Sequence, residues 1–100
     1  MSLSTHVLDT ARGVPAAGVA IELRSGDEVT TATTDADGRA RLLEATPAGE
    51  YELTFAVGDD FGERRFLDRV PVRVTVSAPD AHYHVPLLVS PWSYSTYRGS

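Results

Sequence analysis

Tyr51-Glu52-Leu53-Thr54-Phe55-Ala56-Val57 carries its large apolar side chains at every second position, with small or polar residues between them. A period of two places one set on a buried face and the other on an open one, which is the signature of a half-buried β-strand. The same alternation recurs outward in both directions. Val19, Ile21 and Leu23 alternate with Ala20, Glu22 and Arg24, and Val70, Val72, Val74 and Val76 repeat the pattern later. Further strands are predicted over Leu3 to Leu8, Val29 to Thr34, Arg39 to Leu43, Tyr83 to Val89 and Ser93 to Tyr97. Turn residues separate them: Ser25-Gly26-Asp27, Asp35-Ala36-Asp37-Gly38, Pro47-Ala48-Gly49 and Ala78-Pro79-Asp80. Closely spaced strands of this kind predict an all-β, two-sheet sandwich of about eight strands. One short helix is predicted over Asp59 to Phe66, held to a turn or two by Gly58 and Gly62.

The 100 residues are 42% hydrophobic and 23% charged, so residues 1–100 are expected to form a single domain with one core. A chain of this size hides roughly 65% of its extended surface on folding, and self-association would add to that. All nine basic residues are Arg, against 14 acidic ones, giving a net charge of −5. That balance disfavours nucleic acid and anionic membranes as partners. The lack of Lys rules out a lysine Schiff base, and the lack of Cys rules out disulfides and thiolate chemistry. No apolar run approaches the roughly 20 residues that span a bilayer. The sequence enters patterned strand at Leu3 without a signal-like segment, so a soluble, cytoplasmic protein is expected.

Histidines stand at 6, 82 and 84. On a strand, His82 and His84 point to one face, and that spacing leaves three readings open: a metal site with His6 as third ligand, acid/base chemistry, or structural histidines. No G-x-S-x-G elbow suggests a serine nucleophile. The Asp pairs at 35/37 and 59/60 read as turn residues. Arg39, at the start of a strand, could hold an anionic or carbonyl oxygen through paired donors. The last eleven residues, Ser90 to Ser100, concentrate Trp92, Tyr94 and Tyr97 among hydroxyls, and this tail is expected to be ordered.

Four blocks together resemble the 5-hydroxyisourate hydrolases, the enzymatic branch of the transthyretin-related proteins. They are Ser4-Thr5-His6-Val7-Leu8-Asp9 with Gly13-Val14-Pro15-Ala16, then Thr34-Asp35-Ala36-Asp37-Gly38-Arg39, then His82-Tyr83-His84-Val85-Pro86-Leu87-Leu88, and the ending Tyr97-Arg98-Gly99-Ser100. The segment Glu63 to Arg69 departs from the family pattern, as does Ser93, where Gly is expected. The resemblance implies a transthyretin-like (prealbumin-like) sandwich that assembles as a homotetramer with sites in a channel between dimers. It implies hydrolysis of 5-hydroxyisourate in urate catabolism, with no metal and no cofactor. It also implies roles: His84 activates water, His6 orients water or ring, and Arg39 clamps an oxygen. Tyr97, Arg98, Gly99 and Ser100 are implied to line the substrate site, Ser100 through its hydroxyl and terminal carboxylate. His82 receives no catalytic role. The alternative function is a transthyretin-type small-molecule carrier using the same channel; a structural prealbumin-like module is a third.

Overall fold

The computed structural model describes residues 2–63, 65–79 and 81–99. Its strands are β1 (Leu3–Asp9), β2 (Val14–Pro15), β3 (Ala20–Ser25), β4 (Glu28–Thr33), β5 (Arg39–Leu43) and β6 (Gly49–Ala56). The one-turn helix α1 (Gly58–Phe61) follows, then β7 (Arg69–Val76), β8 (Tyr83–Val89) and β9 (Tyr94–Thr96). One sheet runs β2-β1-β8-β9 with β5 also paired to β1; the other runs β4-β3-β6-β7. The expected all-β, two-sheet sandwich is therefore what the chain forms.

The core lies between the sheets. Leu3 and Val7 of β1, Ile21 of β3, Leu53 and Phe55 of β6, Val70 of β7 and Leu87 of β8 are all sealed from solvent. Each large apolar side chain so buried contributes roughly 1.5–3 kcal/mol relative to exposure. Alternation sets the opposite face. In β1, Leu3, Thr5, Val7 and Asp9 point inward, leaving Ser4, His6 and Leu8 half-exposed on the outer face. Thr5 is buried without penalty because its hydroxyl donates to the Val85 carbonyl.

Two local expectations change. The helix is a single turn over Gly58–Phe61, shorter than the predicted Asp59 to Phe66, because Gly62 takes a positive φ of 64° and ends it. The strand Val14–Pro15 was not expected, since two residues cannot display an alternation; it pairs with Leu8 and Asp9 across the Gly13 turn. The divergent segment before β7 is anchored where Phe66 N and Leu67 N both donate to Pro91 O, leaving Phe66 75% exposed. Among the described residues no helix is long and apolar enough to cross a membrane.

Candidate active site

The outer face of the five-stranded sheet gathers the polar residues that the sequence singles out. Strand β1 is central to that face: it pairs parallel with β8 and antiparallel with β5. This register sets Ser4 between His84 and Arg41, and His6 between Pro86 and Arg39. Residues paired across adjacent strands share a face, so two histidines and two arginines converge from three distant parts of the chain.

Arg39 is aimed by the turn before it. Asp35 Oδ1 accepts from Asp37 N at 2.9 Å and from Arg39 N at 3.0 Å, while Asp35 N donates to Arg39 O at 2.9 Å. Gly38 has a φ of 76°, and its carbonyl accepts from Val7 N at 2.7 Å, tying the turn to β1. A Cβ at position 38 would stand 2.5 Å from the Val7 carbonyl oxygen, so both conformation and space require glycine. Arg39 thus enters β5 from a fixed start.

His84 is half-buried, with its Nδ1 2.9 Å from Ser4 Oγ. Burial is the main influence pushing its pKa below the ordinary 6.5, and the positive charges of His82, Arg39 and His6 act in the same direction. The ring is therefore neutral at pH 7. Where Nδ1–H donates to Ser4, Nε2 keeps a free lone pair for a proton. His82 stacks on His84 with ring centroids 6.4 Å apart and planes 14° from parallel, as the two-residue spacing predicts. Its Nδ1 lies 2.7 Å from Ser2 Oγ.

A cavity of about 590 Å³ opens beside these residues, lined by Ser4, Asp35, Arg39, Arg41, His82 and His84 among others. His6 stands one register step further along β1 and does not line it. Tyr97 and Arg98 line a different groove of about 330 Å³, between β7 and β8, which shares only His84 with the first cavity. There the Arg98 guanidinium carbon lies 4.4 Å from the centre of the Tyr83 ring, a cation–π contact. Gly99 reaches His84 itself: its N–H donates to His84 O at 2.8 Å. Ser100 lies outside the described residues. Among the described residues, no group of three or more His, Cys, Asp or Glu side chains is placed to hold a metal ion.

Sequence reasoning passed over Ser4, Asp35 and Arg41 as site residues. Arg41 follows from Arg39 by the strand period of two, so its place on the same face was readable. Ser4 was not, because its contact with His84 depends on which strands neighbour each other.

This geometry accompanies a clear relationship. The family model described as the HIUase/Transthyretin family matches residues 3–99. The chain belongs to that family. It is 53% identical to the 5-hydroxyisourate hydrolase of Deinococcus radiodurans over 113 aligned positions, covering 98% of this chain and 95% of the relative. Among solved structures, the 5-hydroxyisourate hydrolase of Klebsiella pneumoniae superposes with a TM-score of 0.88 at 37% identity, covering 99% of this chain and 93% of that one. Transthyretin from Sparus aurata superposes with a TM-score of 0.83 at 30% identity, covering 97% and 95%. Both branches of the family thus share this sandwich, and identity is higher toward the hydrolases.

Proposed function

We propose that this chain is a 5-hydroxyisourate hydrolase, opening its substrate to 2-oxo-4-hydroxy-4-carboxy-5-ureidoimidazoline in urate catabolism. The observation that carries the reading is the pairing of a neutral, half-buried His84 with Arg39 on one polar cavity, in a chain whose near-full-length relatives are named for that activity. Hydrolysis of a cyclic amide needs a base for water, donors for the oxygen that gains charge, and a means of orienting the ring.

His84 Nε2 takes a proton from water as the water oxygen bonds to the amide carbonyl carbon. Arg39 stabilises the oxygen of that carbonyl as it becomes anionic. The C–N bond then breaks, and the proton held by His84 passes to the departing nitrogen, leaving a carboxylate and a ureido group. His6 of β1, paired with Arg39 of β5 just outside the cavity lining, is assigned the orientation of the ring or the attacking water. Tyr97 and Arg98, whose groove meets the cavity at His84, are assigned with Gly99 and Ser100 to substrate binding. The reading is tested by the rate at which fresh 5-hydroxyisourate decays with and without the protein. Arg39→Lys should lower that rate about tenfold or more, because a point charge cannot replace paired planar donors. An unchanged rate in this variant would remove Arg39 from the chemistry.

Assembly as a homotetramer belongs to the same reading. It is supported by the exposure of Phe66, Trp92, Tyr94 and Tyr97, four large aromatics on a small chain, and by the open outer edges of β7 and β9. Light scattering should return about four times the 10.8 kDa chain mass. An active monomer would place the whole site within one chain.

A further inference from the structure

His82 is the one histidine to which the proposed reaction gives no work, yet, although exposed, its ring is tied to Ser2 and stands over His84. It lines the same cavity as His84 and Arg39. Its ring is held by Ser2 at 2.7 Å, just as the His84 ring is held by Ser4 at 2.9 Å. Ser2 is itself fixed just before β1, since its carbonyl accepts from Tyr83 N at 3.0 Å. Two Ser–His pairs therefore stand one above the other, with parallel rings.

We infer that the Ser2–His82 pair is a positioning device for His84: Ser2 holds a second imidazole 6.4 Å from the first, where positive charge on either ring opposes positive charge on the other. This rests on the reading of His84 as the base. The other groups that face His84 include two that act in the same direction, Arg39 and His6. His6 and Ser4 come from β1, Arg39 and Arg41 from β5, Asp35 from the preceding turn, and Arg98 from the segment after β9. Among these described residues only Asp35 is an anion, and its Oδ1 is committed to two backbone donors. At the 6.4 Å separation of the rings, two unit charges in water repel enough to change a protonation equilibrium about threefold. His82 is thus a positioning residue that helps keep His84 unprotonated as the pH falls.

The test follows the His84 ring by NMR across pH in the wild type, His82→Asn, His82→Arg and Ser2→Ala, with hydrolysis measured on the same samples. In His82→Asn the His84 midpoint should rise, and the ratio of the rate at pH 6 to that at pH 8 should fall, by at most about threefold. His82→Arg, which supplies a permanent positive charge, should restore most of that ratio. Ser2→Ala leaves both rings present but unties His82, and should move the midpoint in the same direction as His82→Asn. An unmoved His84 midpoint in both His82→Asn and Ser2→Ala overturns the inference. Because the ring titration needs no turnover, a wild type that fails to hydrolyse 5-hydroxyisourate would sink the catalytic reading separately.

Discussion

His84→Asn is expected to lower the turnover of 5-hydroxyisourate by about 100-fold or more, the usual range for loss of a general base, while the fold persists. Asn keeps much of the size and polarity of the imidazole and can still bond Ser4, but it has no lone pair that titrates near neutrality. The ring sits on the outer face of the sheet, away from Leu3, Val7 and Leu87 at the core, so thermal unfolding should change little. The pH dependence of the wild type carries the matching sign. Burial first, then the neighbouring positive charges, hold the His84 pKa below 6.5, and in the proposed mechanism the neutral form is the active one. Activity should therefore be retained as pH falls through 6.5 and be lost only as it passes the lowered value. If His84→Asn keeps most of its activity and His6→Asn abolishes it, the two histidines have exchanged roles.

Gly99→Val is the second large effect, and it works through His84. A Cβ on residue 99 would stand 2.6 Å from His84 Cδ2 and 3.2 Å from Pro86 Cγ, so a branched side chain displaces either the ring or the tail. Displacements near 1 Å at a reacting group cost about 100-fold, and a loss of that size is expected here with the melting temperature preserved. Removing Arg98 to Ser100 should act similarly, since it deletes the Gly99 N–H that bonds His84 O. A chain end that merely decorated the sandwich would tolerate both changes. Full activity in the truncated protein would reduce the ending to a packing motif.

The parts of this molecule that were legible in the sequence are those governed by short-range periodicity. Alternation at Tyr51 to Val57 and Val70 to Val76 marks β6 and β7, and the His82/His84 spacing correctly puts both rings on one face. The Asp35 to Arg39 turn was readable from its residue types, though the need for Gly38 came from the approach of Val7, a tertiary contact. What was illegible depends on strand order. Ser4 touches His84 across 80 residues of sequence only because β1 and β8 run parallel as neighbours. Arg98 illustrates a different limit: resemblance assigns it to the substrate site, whereas within the chain its guanidinium rests on the Tyr83 ring. That contact arises from the way the tail folds back along β8, which no local pattern encodes.

Ring opening of 5-hydroxyisourate by this chain can be measured directly. The direct measurement generates that compound with urate oxidase, adds the purified protein at micromolar concentration, and follows the ultraviolet decay. Decay faster than the spontaneous rate is expected, in proportion to protein concentration, with the ring-opened carboxylate as product. A decay rate identical with and without the protein would contradict it.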